Sequence, residues 1–249
     1  MTLPHLLKRA AFKNPQREAI VSDTGRWTYD QWEKKANQRA RALGKRGIKK
    51  GDHVATIFLN GNEVLETFMA LMKLGAVIVP LNARLSGREL HYIVDHSEAV
   101  ALILSHEFES IIREIKGDLP RIKQSFMSGG DVPEDMVDFE KICQEASEEE
   151  HDIEIEEDDI ACILYTAGTT GLRKGVLLSH SNCIWALVNI ATNIDLQPEY
   201  RVLLVFPLYH AAAFIILISN VFMGCTNVTM RSFDPKRVME LIKRKRSTG

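Results

Sequence analysis

Thr166, Thr169, Thr170 and Lys174 fall in one short stretch of the chain, interleaved with Gly168, Gly171 and Gly175. Glycines let a backbone turn tightly and approach a ligand closely. Successive backbone N–H groups in such a turn form a concavity suited to anions. Threonine hydroxyls add donors and a lysine adds a point positive charge. The chemistry this set supports is the cradling of phosphate groups. Apolar runs lead in (160–164) and out (176–178), so the stretch reads as a loop between two strands. The phosphate loop of nucleotide hydrolases needs Ser or Thr directly after its lysine, whereas Gly175 follows Lys174 here. The glycine spacing also differs from a dinucleotide fingerprint. A Gly/Thr-rich hairpin turn without a ligand is the alternative reading of the same residues.

Other candidate chemistry is sparser. His210 follows Pro207-Leu-Tyr and an apolar run, at the expected end of a strand. A histidine there either faces a site or bonds to local backbone. His91, His96, His106, His151 and His180 are scattered, with no zinc-like spacing plus a third ligand, so no structural metal is assigned. Residues 147–159 are dominated by acids but lack the central glycine of a calcium loop; a solvated linker is expected. Cys143, Cys162, Cys183 and Cys225 form no C-x-x-C pair, which fits buried free thiols in a reducing, cytoplasmic setting.

The elements that must position these groups follow from pattern. The chain has 249 residues, 45% hydrophobic and 26% charged, with a net charge of -2. That composition suits a globular α/β protein and argues against non-specific nucleic-acid binding. The patterns predict helices over 3–12, 28–43, 62–74, 86–97 and 107–116, one capped by Ser179 or Asn182 and running to about 193, and one over 235–245. Strands are expected over 18–22, 26–28, 54–58, 76–79, 99–104, 122–126, 201–206 and 227–230. Their alternation implies a mostly parallel sheet flanked by helices. The run 211–224 is apolar but shorter than the roughly 20 residues of a membrane span, so a buried helix and no integral span are expected. The basic run Lys243-Arg-Lys-Arg246 suits the C-terminal end of an exposed helix.

The stretch Tyr165-Thr-Ala-Gly-Thr-Thr-Gly-Leu-Arg-Lys-Gly-Val176 resembles the signature loop of the adenylate-forming, AMP-binding enzymes, which include the acyl-CoA synthetases. It departs from their usual form at Ala167, where serine is common, and at Arg173, where proline is common. The exchange at Arg173 is expected to loosen the loop while adding charge. Thr28-Tyr29, Gly51-Asp52, Gly75-Ala76-Val77, Pro80-Leu81-Asn82, Glu89-Leu90, Pro207-Leu-Tyr-His210 and Phe233-Asp-Pro235 resemble further family landmarks, in the same order.

This resemblance implies the fold class: layered, mostly parallel sheets flanked by helices, as the incomplete N-terminal large domain of an adenylate-forming enzyme. It divides the chain into an α/β segment (1–146), an acidic linker (147–159) and a second α/β segment carrying the loop (160–249). The implied activity is carboxylate activation by ATP as an acyl-adenylate, followed by transfer to CoA. The substrate would be a fatty acid or another small-molecule carboxylic acid. Loading of a carrier protein and a non-catalytic nucleotide-binding lobe are the alternatives. The resemblance casts Lys174 and His210 as catalytic. It casts Thr166, Ala167, Gly168, Thr169, Thr170, Gly171 and Lys174 as nucleotide-binding, with Thr166 the candidate for association with Mg²⁺. Family segments carrying the magnesium glutamate, the ribose aspartate and the C-terminal catalytic lysine find no counterpart in these 249 residues. The chain alone is therefore expected to be inactive, with an open sheet edge prone to homodimerisation or edge association.

Overall fold

The computed structural model describes residues 1–166 and 173–246, with side chains through 241. In chain order the elements begin with α1 (Leu3–Lys13), β1 (Glu18–Val21), β2 (Arg26–Thr28), α2 (Tyr29–Lys45), β3 (His53–Ile57), α3 (Asn62–Leu74) and β4 (Val77–Pro80). They continue with α4 (Gly87–His96), β5 (Ala101–Ser105), α5 (Glu109–Lys116), β6 (Gln124–Ser128), β7 (Val137–Asp138), α6 (Phe139–Gln144) and β8 (Ile160–Tyr165). The last are β9 (Gly175–Ser179), α7 (His180–Asn193), β10 (Arg201–Leu204), α8 (Ala211–Met223), β11 (Thr226–Thr229) and α9 (Pro235–Arg246). A 3₁₀ turn, His106–Phe108, precedes α5.

Local chemistry sets the helix starts. Thr28, Ser86 and Ser179 each form a capping box, with Gln31, Glu89 and Asn182 returning the bond. Gly75 ends α3 in the left-handed region, at φ 66°, where a side chain would be strained. β1 and β2 pair antiparallel as a hairpin across Asp23-Thr-Gly25.

Two sheets result, of order β7-β6-β5-β3-β4-β8-β9 and β10-β11-β1-β2. In the larger one β3, β4, β5, β6, β7 and β8 run parallel, and β9 pairs antiparallel with β8. Successive side chains of a strand face opposite ways. Val54, Ile78, Ala101 and Ile103 accordingly enter one core, with residues of α1, α2, α3 and α8. Ala55, Val79, Leu102 and Leu104 enter the other, beneath α4 and α5. A sheet buried on both faces explains why these strands read as continuous apolar runs.

Some expectations need correction. The run 201–206 reads as a buried strand, but β10 stops at Leu204 and lies on a sheet edge, with Leu204 alone of Arg201–Leu204 buried. β7 and α6 were not expected; they are too short to generate a periodic pattern. Residues 147–159 carry no regular structure, yet they are held rather than free. Asn37 donates to the Glu148 carbonyl at 2.9 Å, Arg41 to those of Glu149 and Glu150, and Lys50 pairs with Asp159 at 2.7 Å. The chain on either side of this strap shares both sheets: β8 and β9 extend the larger, and β10 and β11 complete the smaller. Cys143, Cys162, Cys183 and Cys225 are buried free thiols. Among the described residues no helix is long and apolar enough to cross a membrane.

Candidate active site

The site begins where β8 and β9 separate. Tyr165 is the last residue of β8 and pairs with Gly175, the first of β9. Beyond that pair the Thr166 N–H donates to the Lys174 carbonyl at 3.0 Å. Gly175 is needed for close approach: a Cβ there would lie 2.8 Å from Ile163 Cγ2 and 3.2 Å from the Tyr165 ring. Ala167, Gly168, Thr169, Thr170 and Gly171 lie outside the described residues. The flanks of that interval are described.

Arg173, at the far flank, is tied down rather than loose. Its guanidinium donates to Glu89 of α4 at 2.8 Å, and its carbonyl accepts the Tyr92 hydroxyl at 3.1 Å. Arg173 is the main cause holding the Glu89 carboxyl low, at about 2, with the bonds from Ser86 next. At the near flank, the Tyr165 hydroxyl lies 2.8 Å from His96 Nδ1. Burial, with the neighbouring Tyr92, pushes the Tyr165 phenol up to about 12, so it stays protonated at neutral pH. The expectation of a looser loop exit from the Arg173 exchange is therefore corrected: an ion pair and a hydrogen bond anchor this position.

His210 arrives from the other sheet. It is not a strand-end residue but the N-cap of α8, accepting from the Ala212 N–H at 3.3 Å. Its approach is fixed by Asn60, which follows β3. The Asn60 amide donates to the Phe206 carbonyl and accepts from the Leu208 N–H, both at 3.0 Å.

Between these groups lies a cavity of about 450 Å³. Its polar lining is Asn82, Tyr165, Thr166, Arg173, Tyr209 and His210; its apolar walls are Pro80, Leu85, Ile93, Leu164, Val176 and Leu178. It opens at the carboxyl ends of β4 and β8, the end of a parallel sheet where ligands bind. Sequence reasoning singled out Thr166 and His210, and the fold places both on this cavity. Lys174 is exposed at the head of β9 and does not line it. Tyr92, His96 and Asn60 were missed. A shallower depression of about 550 Å³ on α1, lined by residues such as His5, Arg9 and Phe12, lacks converging polar groups of this kind.

The fit to a magnesium ion is limited. Among the described residues no three His, Cys, Asp or Glu side chains are grouped to hold a metal. Thr166, the residue the family resemblance points to, lines the cavity, so such an ion would be held chiefly by phosphate oxygens and water.

Comparison with known proteins gives a consistent picture. The family model described as AMP-binding enzyme matches residues 7–249. A 2-succinylbenzoate–CoA ligase of Geobacillus sp. (strain WCH70) is 32% identical over 241 residues, covering 97% of this chain and 46% of that protein. The long-chain-fatty-acid–CoA ligase FadD13 of Mycobacterium tuberculosis is 33% identical over 245 residues, covering 97% and 47%. The inhibitor-bound crystal structure of the N-terminal domain of FACL13 from Mycobacterium tuberculosis superposes with a TM-score of 0.92 at 30% identity, covering 98% of this chain and 61% of that one. The α/β fold is thus that of the N-terminal domain of such enzymes. The chain spans about half the length of the curated relatives it matches.

Proposed function

The chain belongs to the AMP-binding enzyme family, and from that premise we propose that it carries the carboxylate-activating site of an acyl- or aryl-CoA ligase. The observation that carries the proposal is the convergence of Thr166, Arg173 and His210 on one cavity with apolar walls.

In this reading the substrate's apolar body lies against Leu85, Ile93, Leu164 and Leu178, leaving its carboxylate toward His210. The triphosphate of ATP lies across the 166–174 stretch. Carboxylate oxygen attacks the α-phosphorus, the bond to the β-phosphate oxygen breaks, and pyrophosphate leaves. The thiol of CoA then attacks the acyl carbonyl and AMP leaves. Both first-step reactants are anions, so the protein's task is to align them and offset their charge. Thr166, the loop amides and Lys174 serve the phosphates. His210, fixed as a helix cap, offers a ring N–H to the carboxylate and orients it. Magnesium, when bound, neutralises phosphate charge. The relatives' names span an aromatic dicarboxylate and long-chain fatty acids. The class supported here is a carboxylic acid with an apolar body.

The test is carboxylate-dependent ATP–pyrophosphate exchange by a protein containing this chain. Lys174→Ala should lower exchange by roughly 10²-fold, the scale of removing one preorganised charge-stabilising donor. His210→Ala should act mainly through the carboxylate, raising its KM more than that of ATP. Unchanged exchange kinetics in Lys174→Ala would refute the role given to that lysine.

A further inference from the structure

Glu89, Tyr92 and His96 stand at i, i+3 and i+7 along α4, which puts them on one helix face. Each spends its polar atom on a flank of the 167–172 interval. His96 meets the Tyr165 hydroxyl at 2.8 Å on the entering side. Glu89 meets the Arg173 guanidinium at 2.8 Å and Tyr92 the Arg173 carbonyl at 3.1 Å on the leaving side. The rings stack in series: Tyr92 to His96 at 5.2 Å, then His96 edge-on to Tyr165 at 5.8 Å. Between the flanks, the Thr166–Lys174 bond closes the ladder.

We infer that α4 is a clamp that sets the position of both feet of the phosphate-binding stretch, with Glu89, Tyr92 and His96 as positioning residues that touch neither substrate nor cofactor. A helix is a stiff bar, so holding both feet on one helical face fixes their separation and their angle to the cavity. Arg173 allows this: a guanidinium reaches Glu89, whereas the proline usual at that position offers no donor. The clamp is thus a property of this chain's own residues. Its functional meaning rests on the nucleotide reading given above, but the clamp itself can be measured without nucleotide.

The clean variant is Glu89→Gln combined with Tyr92→Phe. Glutamine keeps the capping box with Ser86, and phenylalanine keeps the ring against His96; what is lost is the carboxylate charge that pairs with Arg173 and the hydroxyl bonded to the Arg173 carbonyl. Two quantities are read in the 249-residue chain: amide exchange at Thr166, and the Kd for ATP with Mg²⁺ by calorimetry. The melting temperature should be unchanged. Thr166 exchange should speed up several-fold, as the local opening becomes easier. The Kd for ATP should rise roughly three- to tenfold, the scale of one part-exposed ion pair and one hydrogen bond. Wild-type exchange in the variant would overturn the clamp. Faster exchange with unchanged ATP affinity would overturn its positioning role. If the unaltered chain alone binds no ATP, Thr166 amide exchange decides the clamp, and the nucleotide reading is decided by the ATP–pyrophosphate exchange assay on a protein containing this chain.

Discussion

His180 couples α1 to the start of α7 through a single acceptor. Its ring is buried, and Nδ1 accepts the Leu3 N–H at 3.2 Å, joining α1 to the start of α7. Burial lowers its pKa to about 4. The unfolded chain binds this proton near pH 6.5 and the folded chain does not until about pH 4. The associated stability is therefore full above about pH 6.5 and is lost as pH falls toward 4. Between pH 7 and 5 the loss should be about 2 kcal/mol. Urea unfolding at the two pH values would measure it, and His180→Asn should flatten that slope; an equal slope in the variant would contradict the assignment. Gly175 makes a second residue-scale claim. Gly175→Ala must displace Ile163 or the Tyr165 ring, so it should weaken ATP binding as well as cost stability of about 1–3 kcal/mol. Tight ATP binding by a correctly folded variant would show that the ring position is unimportant.

At the scale of elements, α2, α3 and α6 meet through one buried network. Arg39 pairs with Glu66 at 2.8 Å and with Glu140 at 3.0 Å, and the Trp27 indole donates to Glu66 at 2.8 Å. Removing one partner strands a buried charge, so Glu66→Ala should destabilise by about 3–5 kcal/mol in denaturant unfolding. A loss under about 1 kcal/mol would mean that water or Glu140 alone suffices for Arg39. What was legible at this scale was local. Thr28, Ser86 and Ser179 announce their helices because a cap and its partner are three residues apart. Helix α4 was foreseen, and the spacing of Glu89, Tyr92 and His96 was open to view. Its partners Tyr165 and Arg173 lie 69 to 84 residues further on, which no local pattern encodes. β10 misled for a related reason: its composition suits a central strand, but its neighbours put it on an edge.

At the scale of the molecule, the two sheets interleave chain from both sides of the acidic strap, so the candidate site is assembled from distant segments. Thr166 and Arg173 come with the larger sheet, His210 with the α8 entry. The motif singled out candidate phosphate-binding residues in advance; the cavity that joins Thr166 to His210 emerged only from this assembly. β9 has a consequence of its own. Among the described residues it pairs with β8 alone, and Val176 and Leu177 on it are 43% and 56% exposed. An unpaired edge with apolar side chains favours association, so light scattering of the chain should show a mass rising with concentration, and Val176→Lys should suppress it. A monomer at every concentration would set that expectation aside.

The central claim is that the triphosphate of ATP lies against the stretch ending at Lys174, and amine-selective acetylation read by mass spectrometry tests it most directly. Lys174 is exposed at the carboxyl end of the sheet, whereas Lys123 is exposed at the amino end, just before β6. The account predicts that ATP with Mg²⁺ protects Lys174 and leaves Lys123 labelled as before. Equal labelling of Lys174 with and without saturating ATP would contradict it.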